Sequence, residues 1–186
     1  MKSILGIMGS PRKNGNTHIL VDNILKGAQE EGVKADVLFL TDLKIKECDG
    51  CHRCWKGEEC PKDDDMVGLY PRIIKSDLFV FGTPVYWYGP TGLMKLFIDR
   101  LVYFNCPPNR AKIRGKRAVI AVPFEDENIE TASLLIQTFK KCLEYLEMSL
   151  IGKIIVPGLT EKGEIAEKEK YMQEAYELGK SIALKK

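Results

Sequence analysis

Gly9-Ser10-Pro11-Arg12-Lys13-Asn14-Gly15-Asn16-Thr17 follows an apolar run, Ile4 to Met8, and precedes a segment with apolar residues at Leu20, Ile24 and Ala28. The first pattern reads as a buried strand and the second as one face of a helix. The stretch is therefore a strand-to-helix turn built from glycine, hydroxyl, amide and cation. That composition suits a phosphate ester. Gly9 and Gly15 allow a close backbone approach. Ser10, Asn14, Asn16 and Thr17 offer neutral donors, and Arg12 a planar fork that matches phosphate oxygens. The first helical turn adds unpaired N–H groups and the positive end of the dipole. A Walker loop is excluded because Asn16-Thr17, not Lys-Ser/Thr, follows Gly15. A G-x-G-x-x-G dinucleotide fingerprint is also missing, Gly6 and Gly9 being the nearest approach. The competing reading is an ordinary helix start with Asn14 or Asn16 as the N-cap.

Outward from that turn the chain alternates. Strands are expected at 3–8, 35–40, 77–83, 117–122 and 151–156. Helices are expected at 16–31, 65–76, 91–102, 128–147 and 163–184. In the second helix Met66, Leu69 and Ile73 face inward with Asp65 near the N-cap. In the fourth, Ile129, Ala132, Ile136, Phe139, Leu143 and Leu146 form the apolar face. The unbroken run Leu78-Phe79-Val80-Phe81 suits a parallel strand covered on both sides. This alternation predicts an α/β fold: a flavodoxin-like, doubly wound, five-stranded parallel sheet of order 2-1-3-4-5 with helices on both faces. Ligands in such sheets sit at the carboxyl ends of strands one and three, where the order reverses.

The totals agree with one domain spanning residues 1–186. A chain of 186 residues can bury roughly 70% of its unfolded surface. A net charge of +2, from 28 basic and 26 acidic residues, argues against a nucleic-acid partner. The uncharged stretch from Leu78 to Met94 is broken by proline and glycine, so no membrane span is expected. Met1-Lys2-Ser3 leads directly into a strand, without the pattern of a signal peptide. Four of the six cysteines are crowded between Cys48 and Cys60, which suits reduced thiols in a cytoplasmic protein.

The loop after the third strand is Gly82-Thr83-Pro84-Val85-Tyr86-Trp87-Tyr88-Gly89-Pro90-Thr91. Three adjacent aromatics at a switch point make a flat wall with polar tips, suited to a planar heterocycle. Exposed aromatics also mark contacts between subunits. Phosphate at one loop and a planar ring at the next point to flavin mononucleotide (FMN). Together with Lys95 and Asp99-Arg100 in the next helix, the two loops resemble the flavodoxin-like NADPH-dependent FMN reductase family, over residues 2 to about 102. The resemblance implies that Ser10, Arg12, Asn14, Gly15, Asn16 and Thr17 hold the FMN phosphate. It implies that Pro84, Val85, Tyr86 and Trp87 line the ring, with NAD(P)H as a donor. The third loop departs from the family. Pro123-Phe124-Glu125-Asp126-Glu127 stands where members often carry a small Gly/Thr-rich segment.

Cys48, Cys51, Cys54 and Cys60 are spaced C-x2-C-x2-C-x5-C, with Pro61 next, inside a loop at about 41–64. Two C-x2-C steps turn three thiolates toward one centre, and the five-residue return brings a fourth. Compact runs ending in Cys-Pro hold iron–sulfur clusters, whereas zinc sites more often pair two C-x2-C units across a longer gap. Zinc and free redox thiols remain open alternatives, and His52 is set aside as a ligand. The spacing within this fold resembles the iron–sulfur flavoprotein family, as does Asp63-Asp64-Asp65-Met66. That resemblance implies FMN and a [4Fe–4S] cluster on one chain, carrying electrons between a reduced donor and an acceptor, either of them a small molecule or a protein.

No catalytic base stands out, in keeping with a cofactor that performs the redox step. His18 and Cys142 read as structural, and Asp22, Asp99 and Arg100 as surface or packing charges. The expected activity is that of an oxidoreductase. Two alternatives are an NAD(P)H-dependent FMN or quinone reductase without a cluster, and a non-enzymatic flavodoxin-like carrier. Apolar residues in Tyr86-Trp87-Tyr88, in 101–108 and in the fourth helix predict a homo-oligomer, a dimer or tetramer.

Overall fold

The computed structural model describes residues 3–184; Met1 and Lys2, where the leader reading rests, lie outside the described residues. Five parallel strands, β1 (Ser3–Met8), β2 (Lys34–Phe39), β3 (Leu78–Gly82), β4 (Arg117–Pro123) and β5 (Ser149–Val156), form one sheet. Their order is β2-β1-β3-β4-β5, as expected. The helices are α1 (Asn16–Glu30), α2 (Met66–Lys75), α3 (Gly92–Arg100), α4 (Pro107–Arg110), α5 (Ser133–Tyr145) and α6 (Glu169–Leu184). Among the described residues no helix is long and apolar enough to cross a membrane.

Strand alternation divides the core in two. Leu5, Ile7, Phe79, Phe81, Ile120 and Val122 pack on one face with residues of α2, α3 and α5. Ile4, Met8, Leu78, Val80, Val119 and Ala121 pack on the other with α1 and α6. Both faces of the central strands are covered, which is why their sequences are apolar throughout. Helices α1 and α6 approach so closely that a Cβ on Gly27 would lie 2.1 Å from the Tyr176 carbonyl oxygen.

Several boundaries differ from the expectation, each for a local reason. The third helix stops at Arg100 and gives way to a 3-10 segment, Leu101–Asn105. The short α4 follows, with Pro107 and Pro108 in the first-turn positions where a missing N–H costs nothing. The helix expected from residue 128 is split into a 3-10 turn, Ile129–Ala132, and α5. Ile129 is consequently 54% exposed rather than inward. Met66, Leu69 and Ile73 are buried as expected, but Asp65 does not cap α2 with its side chain. Asp65 accepts from the Lys44 N–H, and Asp64 accepts from the Met66 N–H. In the 101–108 segment Leu101, Phe104 and Cys106 are buried, so only Val102, Tyr103, Pro107 and Pro108 are left to give apolar surface. β5 starts two residues early, at Ser149, which pairs with Arg117, and the register shifts between Ala118 and Val119.

Candidate functional site

The ends of β1, β3 and β4 and the segment after β5 open onto one cleft. It is lined by Ser10, Arg12, Gly15, Asn16, Thr17, Pro84, Val85, Tyr86, Pro123, Phe124, Glu125, Leu159, Thr160 and Lys162. Eight of the ten residues anticipated for the cofactor are in that lining. Asn14 and Trp87 are not.

The first loop is held by its own backbone. The Gly9 N–H donates to the Gly82 carbonyl at 2.7 Å, and the Gly15 N–H donates to the Arg12 carbonyl. Ser10 is buried, and its hydroxyl accepts from the Arg12 N–H. Gly15, not an asparagine, is the N-cap of α1, and no side chain caps that end. An uncapped first turn leaves N–H donors facing the cleft, the arrangement an anion fits. Asn14 takes a left-handed conformation, φ 56°, and its N–H donates to His18 Nδ1. His18 also packs edge-on against Phe39, so its role is structural. The Asn16 amide is engaged at both atoms, donating to the Glu161 carbonyl and accepting from the Ile165 N–H. Asn16 thereby draws the connection between β5 and α6 over the cleft, bringing Thr160 and Lys162 to its edge. Sequence reasoning missed these two residues, since only the through-space Asn16 contacts place them there.

Thr91 pins the second loop to the first. Its hydroxyl donates to the Gly9 carbonyl and accepts from the Met94 N–H as the N-cap of α3. The Thr91 N–H in turn donates to the Thr83 hydroxyl. A threonine just before an apolar helical run is a readable cap signal; its second bond, to Gly9, is not. Tyr86 and Gly89 exchange both backbone hydrogen bonds, closing a two-residue turn at Trp87 and Tyr88. Both turn residues have positive φ, 48° and 62°, where Asn and Gly are normally found. This conformation costs of order 1–2 kcal/mol per bulky residue. It holds Trp87 out, 96% exposed, beside the cleft rather than in it.

The acidic third loop is ordered from within. Asp126 accepts from the Thr131 hydroxyl and the Asn128 N–H, which hold its carboxyl below the usual carboxylate range. Its neighbour Glu125 lines the cleft, opposite in charge to Arg12 and Lys162.

A second, separate pocket collects the cysteines. Cys48, Cys51, Cys54 and Cys60 all line it, with His52, Trp55, Tyr70, Arg100 and Tyr103. Left-handed residues Gly50, His52 and Gly57 curl the loop around a 3-10 turn, Arg53–Lys56. Burial pushes the Cys54 thiol up, and the neighbouring Cys48, Cys60 and Cys51 add to the shift. Among the described residues no group of three Cys, His, Asp or Glu side chains is drawn together as ready metal ligands. All four cysteines nonetheless line a single concavity, a soft donor set that suits iron–sulfur chemistry.

Arg100 closes the floor of this pocket. It is 1% exposed, not a surface charge. Its guanidinium pairs in bidentate fashion with Asp64, donates to the Lys46 carbonyl at 2.8 Å, and places an N–H 3.3 Å from the Cys60 sulfur. Asp64 also accepts from the Lys46 and Met66 N–H groups. Burial raises the Asp64 carboxyl, but Arg100 and the Lys46 N–H outweigh it and leave the group below its ordinary value. No sequence pattern links residues 36 positions apart, so this pair was not anticipated. Asp99 and Asp22 are surface charges as expected, paired one helical turn away with Lys95 and Lys26.

Comparison with known proteins agrees with this geometry. The family model described as NADPH-dependent FMN reductase matches residues 2–157. An iron–sulfur flavoprotein of Archaeoglobus fulgidus is 32% identical over 184 residues, 98% of this chain and 79% of the relative. A Bacillus subtilis protein described as an NAD(P)H-dependent FMN-containing oxidoreductase is 30% identical over 82% of this chain and 83% of its own. The solved structure of the Trp repressor binding protein from Bacillus subtilis superposes with a TM-score of 0.72 at 26% identity, covering 94% of this chain and 98% of that one. The chain thus belongs to the NADPH-dependent FMN reductase family of flavodoxin-like, FMN-dependent oxidoreductases, and within it to the iron–sulfur flavoproteins.

Proposed function

We propose that the chain binds FMN in the cleft, holds a [4Fe–4S] cluster on Cys48, Cys51, Cys54 and Cys60, and carries electrons between a reduced donor and an acceptor. The observation that carries the reading is that all four cysteines line one pocket in a chain that also builds the cleft. Arg12 and the first turn of α1 bind the phosphate. Pro84, Val85 and Tyr86 form the wall for the ring, and Phe124 and Glu125 bound the other side. Thr91 keeps the two loops in register, so the ring and phosphate subsites stay at a fixed separation. FMN, when bound, supplies both one- and two-electron redox chemistry, and the cluster supplies one-electron transfer. The protein's part is to position, to exclude water and to set the charge nearby.

A reductase whose cysteine loop holds zinc or free thiols is the second reading. The lack, among the described residues, of three donors already gathered as ligands favours its free-thiol form. A homo-oligomer forms part of the proposal, supported by exposed Trp87, Tyr88, Ile129 and Leu134. The test is iron and acid-labile sulfide per chain on anaerobically purified protein, beside Cys54→Ala and Cys142→Ala. About four irons in the wild type and Cys142→Ala, with loss in Cys54→Ala, support the cluster. Stoichiometric zinc, or no metal, in the wild type overturns it and leaves the second reading.

A further inference from the structure

Arg100 is buried, with Asp64 beside it equally shut off from water, and takes no part in the flavin cleft. It sits at the C-terminal end of α3, whose N-terminal residue cap, Thr91, is tied to the phosphate loop. One guanidinium therefore joins a rigid helix to a loop that has little core of its own. The apolar residues that anchor that loop, Leu43, Ile45 and Cys60, are only partly buried. Cys54 is buried, and polar ties add to these: Lys44 with Asp65, Asp64 to Arg100, Lys46 and Met66, Lys62 to Asp49, and Arg53 to Glu58. The Arg53–Glu58 pair is solvent-exposed and the Lys62–Asp49 pair partly so, and such pairs contribute little, whereas the Arg100–Asp64 pair is excluded from water on both sides.

The geometry points to Arg100 as a positioning residue that fixes Cys60 for ligation and, through its N–H on the Cys60 sulfur, raises the reduction potential of the group held there. The second half rests on the cluster reading; the first does not. Four thiolates make the bound centre strongly negative, and reduction adds one more negative charge. A hydrogen bond and a positive charge aimed at one ligand sulfur favour the reduced state, so the potential rises. Asp64 opposes the effect by neutralising part of the guanidinium charge. Removing each partner should therefore move the potential in opposite directions. Simple loosening of the loop would not give that pattern.

The experiment uses full-length protein, anaerobically purified, as wild type, Arg100→Lys, Arg100→Gln and Asp64→Asn. FMN occupancy reports whether each variant is folded at the cleft. Iron release to a chelator is timed, the midpoint potential is titrated, and hydrogen exchange across residues 44–64 is measured on metal-free protein. Arg100→Gln is expected to lose iron at least tenfold faster, to lower the midpoint, and to raise exchange in the loop while leaving α1 protected. Asp64→Asn is expected to raise the midpoint, and Arg100→Lys to fall between wild type and Arg100→Gln. Should Arg100→Gln fail to fold, Arg100→Lys and Asp64→Asn carry the comparison. Unchanged iron release, potential and loop exchange overturn the proposal, as do midpoint shifts of the same sign in Arg100→Gln and Asp64→Asn. If wild type binds no iron, the cluster reading fails by itself, and loop exchange in the metal-free variants decides the positioning role.

Discussion

The Thr91 hydroxyl donates to the Gly9 carbonyl at 2.5 Å, a contact between residues 82 positions apart. The same oxygen accepts from the Met94 N–H. One side chain thus starts α3 and fixes the distance between the loops after β1 and β3. Thr91→Val keeps the shape and removes both bonds. Loss of the cap costs about 1 kcal/mol, and a buried carbonyl left without its donor about 1–3 kcal/mol. The expected outcome is a loss of about 2–4 kcal/mol in denaturant unfolding together with weaker FMN binding. Thr91→Ser should retain most of both.

Arg12 is the exposed cation that the first loop gives to the cleft, whereas Lys13 beside it pairs with Asp42 and is outside the lining. Arg12→Ala should therefore weaken FMN binding by about 10- to 150-fold, the equivalent of losing a charge-assisted hydrogen bond of about 1.5–3 kcal/mol. Arg12→Lys should recover only part, because lysine lacks the planar fork. Lys13→Ala should bind nearly as wild type. Flavin fluorescence titration measures all three. Full flavin retention by Arg12→Ala after dialysis would remove the phosphate assignment.

Two glycines of the same chain should respond oppositely to alanine. At Gly27 a Cβ meets the Tyr176 carbonyl oxygen at 2.1 Å, so α1 and α6 must separate. At Gly68, within α2, it meets nothing within 4 Å. Gly27→Ala should cost at least the roughly 1–3 kcal/mol of an overpacked core. Gly68→Ala should gain up to about 1 kcal/mol from helix propensity. Thermal unfolding distinguishes them; a stable Gly27→Ala would show that the two helices are not this close.

Strand order and the two main loops were legible because they follow from local patterns. Apolar runs such as Leu78 to Phe81 mark buried parallel strands, and the 2-1-3-4-5 order places Arg12 and Tyr86 at one switch point. The residues that join loops across space were not legible. Thr91 to Gly9, Asn16 to Ile165 and Arg100 to Asp64 pair positions with no shared period. Arg100 read as a surface or packing charge because helix spacing shows which face a residue occupies, not which acid lies beneath it. Ile129 misled for a related reason: it fits the apolar period of α5 but lies in the 3-10 turn before that helix starts.

The Arg100–Asp64 pair also makes a pH prediction. Asp64 has a folded-state carboxyl below its ordinary value, with burial opposing the shift and Arg100 and the Lys46 N–H outweighing it. A depressed carboxylate contributes stability that is fully present above the unfolded value of about 3.9 and is lost as pH falls through the lower folded value. Wild type should therefore hold this contribution from neutral pH down to about pH 4 and lose it below. Asp64→Asn strands a buried guanidinium and should be about 3–5 kcal/mol less stable at neutral pH. The gap between the two proteins should then narrow as pH drops below about 4, since protonation removes the same charge from the wild type. Asp49, Asp126 and Glu164 also sit below their ordinary values, but they titrate alike in both proteins and cancel in the difference. Urea unfolding of metal-free wild type and Asp64→Asn between about pH 3 and 7 reads this directly. A gap that stays constant across the range would mean that Asp64 does not carry the charge that holds Arg100.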